Sequence, residues 1–126
     1  MSHLVWVIDD DADFLRLMSA MLTEAGYRVE LFTDPHLIIN GPERDRPALI
    51  ILDLLFAHIA TGWTLLEILR RRLGRPAIPV ILTSVDPRQL QAPPPGFHPG
   101  GEVVVVDKFA LLKQLPMLLK RLSNSH

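Results

Sequence analysis

Ile50-Ile51-Leu52-Asp53 is the stretch on which the reading of this chain turns. Three bulky apolar residues in succession suit a parallel strand covered by helices on both faces, which reads as a continuous apolar run. The run ends on a carboxylate. A chain leaving such a strand surfaces at the carboxyl edge of the sheet, where open α/β folds hold their ligands. Asp53 is thereby placed where it can react, and the question becomes what else reaches that edge.

Working outward, Ala48 to Leu52 is the third of five expected strands. Leu4-Val5-Trp6-Val7-Ile8 is the first, and it runs straight into Asp9-Asp10-Asp11. Arg28 to Phe32 alternates polar and apolar residues, as an edge strand does. Ile78 to Thr83 has Pro79 near its entry, where a missing N–H is tolerable. Val103 to Val106 ends at Asp107-Lys108. Helical patterns lie between these strands. Phe14, Leu15, Met18, Met21, Leu22 and Ala25 share one face at 3.6-residue spacing, and Gly26 stops that helix. Asp34-Pro35 is an N-cap and first helical residue, opening a short helix that Asn40-Gly41-Pro42 ends. Trp63, Leu65, Leu66, Leu69 and Leu73 mark the next, with Arg70, Arg71 and Arg72 at the negative end of its dipole. Leu111, Leu112, Leu115, Leu118, Leu119 and Leu122 mark the last. Pro116 falls inside it; a start near residue 112 puts Pro116 in the first turn, where it forfeits no hydrogen bond, whereas an earlier start kinks the helix. Asp86-Pro87 opens a helix that Ala92-Pro93-Pro94-Pro95-Gly96 halts within two turns. The fourth helix is therefore expected to be short or missing. Alternating strands and helices predict an α/β fold, a doubly wound parallel sheet with right-handed crossovers.

At 126 residues the chain is expected to be one domain, 1–126. Apolar residues make up 48% and charged residues 21%, as in a compact globular protein. A net charge of −1 gives no general attraction to nucleic acid or anionic lipid. With no cysteine, disulfides and thiolate chemistry are excluded. There is no basic, apolar leader at the N-terminus and no run of roughly 20 apolar residues, so an intracellular protein without membrane segments is expected. The five histidines, at 3, 36, 58, 98 and 126, show no metal-ligand spacing.

What stands at the strand ends is more informative. The first strand delivers Asp9 and Asp10, the third Asp53, the fourth Thr83 and Ser84, and the fifth Lys108. Singly, each has a structural explanation: acids before a helix cap it, an Asp after a strand is a turn residue, and a strand-end Lys is a solvated tip. Together on adjacent strands they form one cluster. Three carboxylates repel one another, and a divalent cation relieves that repulsion. Hard oxygen ligands suit Mg²⁺ (or Mn²⁺). A cation and a lysine around one carboxylate make a site for a phosphoryl group, with that carboxylate as nucleophile and Thr83 bonding a phosphoryl oxygen.

The ordered set resembles the receiver domain of two-component response regulators, the family that includes the bacterial chemotaxis regulator. Val7-Ile8-Asp9-Asp10-Asp11, Glu24-Ala25-Gly26-Tyr27-Arg28-Val29, Ile51-Leu52-Asp53-Leu54, Val80-Ile81-Leu82-Thr83-Ser84 and Lys108 are similar to its motifs, across nearly the whole chain. The resemblance implies a flavodoxin-like strand order 2-1-3-4-5 and a (βα)5 fold. It implies that Asp53 is phosphorylated by a histidine kinase or phosphotransfer protein, in the cytoplasm. Asp9, Asp10 and Asp53 would hold Mg²⁺ with the backbone carbonyl of Leu55. Thr83 would be the switch hydroxyl, Lys108 would pair with the phosphoryl group, and Ser84 would leave the donor a way in. The chain ends about where the last helix does, so no output domain is expected. Signalling would then run through an unknown downstream protein or a phosphorelay, without direct contact to nucleic acid or membrane. Formation of a homodimer stays open.

Departures from the pattern bear on how a signal leaves. After Asp53 the run to Gly62 lacks the family's usual Pro and is one residue longer than the family's. Lys108 is followed by Phe109 where the family has Pro, often cis; a non-proline cis bond costs about 3 kcal/mol, so a trans bond and a shifted loop are expected. The aromatic that usually couples to the switch hydroxyl aligns with Val105. Leu55 and Val85, at the positions that steer attacking water in the family, are apolar, so slow loss of phosphate is expected. Two other readings compete. One is a binding module that has kept the fold and does not use phosphorylation. The other is a haloacid-dehalogenase-type phosphohydrolase, whose first motif Asp9 and Asp11 imitate, but which needs acidic ligands after the lysine; nothing acidic follows Lys108.

Overall fold

A computed structural model describes residues 3–34, 36–39, 41, 45–53, 62–74, 78–85, 96 and 101–123. Five parallel strands form one sheet in the order β2-β1-β3-β4-β5. They are β1 (Leu4–Ile8), β2 (Arg28–Phe32), β3 (Leu49–Asp53), β4 (Val80–Ser84) and β5 (Val103–Asp107). The described helices are α1 (Ala12–Glu24), α2 (His36–Ile39), α3 (Gly62–Leu73) and α4 (Lys108–Ser123). This is the doubly wound fold that the alternation of elements predicts. The expected short or missing helix between β4 and β5 concerns residues 86–95 and 97–100, which lie outside the described residues.

The continuous apolar runs are continuous because both sheet faces are covered. Along β1, Leu4, Trp6 and Ile8 pack on the side of α2 and α3, with Ile50, Leu52 and Leu82. Val5 and Val7 pack on the opposite side with Ile51, Ile81 and the buried faces of α1 and α4. Every residue of β1, β3 and β4 is buried, so no strand position among these is left for a polar side chain except at the carboxyl ends. Asp53 and Thr83 occupy those ends.

Helix termini follow their sequence signals. Asp11 caps α1, its carboxylate accepting from the N–H of Asp13 and Phe14. At the other end Tyr27 N–H donates to Leu22 O and Gly26 N–H to Thr23 O, the two bonds of a Schellman motif. Gly26 has φ 94°, the left-handed conformation that motif needs. Asp34 accepts from the N–H of His36 at 2.9 Å, as an N-cap of α2 does. Arg70, Arg71 and Arg72 lie in the last turn of α3, as expected, where Arg70 also donates to Ile78 O and Arg72 to Gly41 O at 3.0 Å.

Boundaries shift by a residue or two from the expected ones. β3 extends to Asp53, and β4 starts at Val80, leaving Pro79 just outside with its carbonyl accepting from Ile50 N–H at 3.1 Å. The larger correction concerns the last helix. It begins at Lys108 rather than near residue 112, so Pro116 lies well inside α4 and not in its first turn. Pro116 is exposed, so the carbonyl it leaves without a helix donor can turn to water. Leu111, Leu115, Leu118, Leu119 and Leu122 still bury one face, and that packing holds the helix across the break.

Candidate functional site

The register of the parallel sheet brings the strand ends together. Asp53 lies opposite Thr83, Thr83 opposite Val106, and Ser84 opposite Asp107. Asp9 follows β1 directly, its N–H donating to Phe32 O at 3.0 Å. Asp9, Asp10 and Asp53 each offer a carboxylate oxygen, and these oxygens lie within 4.8 Å of one another. Asp9 is 1% exposed and Asp53 7%, while Asp10 faces solvent.

An ammonium completes the cluster. Lys108 is buried, and its Nζ stands 2.7 Å from Asp9 Oδ2, a contact between charges rather than an aligned hydrogen bond. Asp9 Oδ1 accepts from Asp11 N–H at 2.8 Å. Burial pushes the Asp9 carboxyl above its ordinary value, and the Asp53 charge adds to that rise; the Lys108 contact and the Asp11 N–H oppose it. Thr83 is wholly buried, and its Oγ1 has no hydrogen-bond partner among the described residues. A buried hydroxyl left in this state costs about 1–3 kcal/mol. It stands beside Asp53 in the register of the sheet.

Lys108 reaches the cluster because β5 passes straight into α4. Asp107, the last strand residue, accepts from Phe109 N–H at 2.8 Å and Ala110 N–H at 3.1 Å, an N-cap geometry. The shifted loop expected after Lys108 is thus no loop at all. On the outer side, Phe14, Leu17, Val85, Phe109 and Leu112 line a pocket of about 220 Å³ with Asp11, Asp13 and Lys108. Three of these apolar side chains are largely open to solvent: Leu17 at 42%, Val85 at 52% and Phe109 at 69%.

The structure therefore gathers Asp9, Asp10, Asp53, Thr83 and Lys108 at one edge. Ser84 is fully buried beneath that edge. Leu55 and His58 lie outside the described residues, as does the run from 54 to 61. Val105, at the aligned position of the family's aromatic, is 39% exposed on β5. Two residues escaped the sequence reading. Phe14 was expected only as a core residue of α1, yet the Lys108 ammonium sits over its ring, 4.3 Å from the centroid. Asp107, expected only at the end of the fifth strand, is also the N-cap of α4. Asp107 stands four residues before Leu111, where the leucine stripe begins, and an Asp just ahead of a helical run signals a cap.

The three carboxylates fit a divalent cation: oxygen donors, two of them buried, at a spacing that one ion can bridge. Comparisons with known proteins bear on the same features. A family model described as the response regulator receiver domain matches residues 5–92. A two-component response regulator from Clostridium difficile superposes with TM-score 0.78 at 19% identity, covering 99% of this chain and 98% of that one. The receiver domain of HemR from Leptospira biflexa, in its non-phosphorylated form, gives 0.76 at 21% identity, covering 98% and 95%. The response regulator TrrA from Thermotoga maritima, in complex with Mg²⁺ and beryllium fluoride, gives 0.73 at 20% identity, covering 97% and 99%. A search of curated proteins by sequence finds no match.

Proposed function

The chain belongs to the response regulator receiver domain family, and on that premise we propose that it accepts a phosphoryl group on Asp53 and signals through the change this makes. The donor is a histidine kinase or phosphotransfer protein, and the output is a protein contact or a further phosphotransfer. The observation that carries the reading is the convergence at one sheet edge of three carboxylates within 4.8 Å and a buried ammonium 2.7 Å from one of them. In the reaction an oxygen of Asp53 attacks phosphorus. The donor's bond to phosphorus breaks, its electron pair leaving with the donor, and an aspartyl phosphate forms. Asp9, Asp10 and Asp53 would hold Mg²⁺ with the Leu55 carbonyl, and the ion would supply positive charge to the phosphoryl oxygens. Lys108 adds a second positive charge from the protein. Thr83 Oγ1, buried with its hydrogen bond unmade, donates to a phosphoryl oxygen once one is present. The exposed apolar rim of Leu17, Val85 and Phe109 beside Lys108 suits a protein donor, since apolar groups clustered on a surface mark contact sites.

The apolar Leu55 and Val85 cannot orient an attacking water, so the phosphate on Asp53 is expected to persist; loss within seconds in Mg²⁺ buffer contradicts this. The acceptor role itself is tested with beryllium fluoride and Mg²⁺, a mimic of the aspartyl phosphate. Binding followed by calorimetry is expected for the unaltered chain and absent in Asp53→Ala. No binding to the unaltered chain would leave the fold serving as a module that does not use phosphorylation.

A further inference from the structure

We propose that Phe14 is a positioning residue for Lys108, its ring fixing the ammonium at the place from which it serves Asp53. This rests on the reading of Asp53 as phosphoryl acceptor. A lysine has a long stem with many rotamers, and at the end of a strand it ordinarily drifts into water. Lys108 does not: it is 8% exposed, with Nζ 4.3 Å from the centroid of the Phe14 ring. A desolvated ammonium over an aromatic face is drawn to the negative face of the ring. Phe14 is itself buried, 8% exposed.

The contacts around this pair close on themselves. Asp9 Oδ1 accepts from Asp11 N–H, and Asp11 caps α1 by accepting from Asp13 N–H at 3.0 Å and Phe14 N–H at 3.4 Å. Phe14 lies under Lys108, and Lys108 returns to Asp9 Oδ2. The acid that anchors one end of this circuit is also one of the three oxygen donors of the cluster. When Asp9 gives its charge to a cation, its hold on Lys108 weakens. The ring keeps its hold, because a carbon face has no ligand role to be diverted to. Phe14 is therefore the contact that retains the ammonium through phosphoryl arrival.

The test compares the unaltered chain with Phe14→Leu, which keeps apolar bulk, and Phe14→Tyr, which keeps the ring. Two quantities are read: the rate of phosphorylation by acetyl phosphate in Mg²⁺, and, without metal, the proton NMR shifts of the Lys108 methylenes nearest the ammonium. The unaltered chain is expected to show these protons moved upfield by the ring current. Phe14→Leu is expected to lose that shift and to react up to about thirtyfold more slowly, from the strength of such contacts when desolvated. Phe14→Tyr is expected to retain both. Phe14→Leu reacting at the unaltered rate overturns the proposal, as does an unaltered chain with no ring-current shift on Lys108. A chain that takes no phosphoryl group in any form, yet shows the shift, overturns the acceptor reading and leaves Phe14 with no reaction to serve.

Discussion

Asp9 is the residue at which the opposing demands of the site meet. It is almost fully buried, it touches Lys108, and it shares its surroundings with Asp53. Burial raises its folded pKa above 3.8, the ordinary carboxylate value, and the net direction stays upward despite the lysine. The consequence for stability has a definite sign. Below pH 3.8 the carboxyl is protonated in both folded and unfolded chains and costs nothing. As the pH climbs toward the raised folded value, the unfolded chain loses its proton first, so this group's contribution favours unfolding. A divalent cation held by Asp9 would reverse that, since it binds the charged form. The stabilisation conferred by Mg²⁺, measured as the shift in Tm at fixed ion concentration, is therefore expected to grow from pH 4 to pH 7. A shift that is the same at both pH values contradicts the assignment of Asp9 as a ligand. The strand-end acids were legible in the sequence because each ends an apolar run. The Lys108–Phe14 contact was not, since helix periodicity shows which face is buried and not what the face touches.

At the scale of elements, the passage from β5 to α4 departs furthest from expectation. Lys108-Phe109 in place of Lys-Pro suggested a displaced loop; the structure joins strand to helix with Asp107 as both last strand residue and cap. The cap explains why α4 starts early enough to place Pro116 in its interior, and the leucine stripe explains why the helix survives it. Asp107→Ala is expected to cost about 1 kcal/mol of stability, seen as a lower urea midpoint, while Asp107→Asn or Asp107→Ser loses little, because each keeps an oxygen for the helix N–H groups. Equal losses in all three variants would mean that the cap is not what holds the turn. The helix ends of α1 are legible in the sequence because the Asp and Gly signals there are local. The start of α4 is not legible in the leucine stripe, which begins at Leu111, three residues after the helix does, because periodicity does not mark a turn that lies ahead of the stripe.

At the scale of the whole molecule, the five strands place their carboxyl ends in the order that makes one cluster out of residues 9, 10, 53, 83 and 108. The alternation of elements and the unbroken apolar runs made this architecture legible, because a run without polar residues has no solvent-facing side and must be covered twice. The same pattern says nothing of how a phosphoryl group on Asp53 is noticed elsewhere. Val105 offers no aromatic ring to couple with Thr83, so the outlet the family's pattern suggests is not written into β5. The acceptor chemistry stands apart from that question and is open to direct measurement. Intact mass after incubation with Mg²⁺ and acetyl phosphate is expected to rise by the mass of one phosphoryl group, about 80 Da, the increment of a single aspartyl phosphate. The gain is expected to vanish in Asp53→Ala. An unchanged mass in the unaltered chain, or an equal gain in Asp53→Ala, would contradict the account.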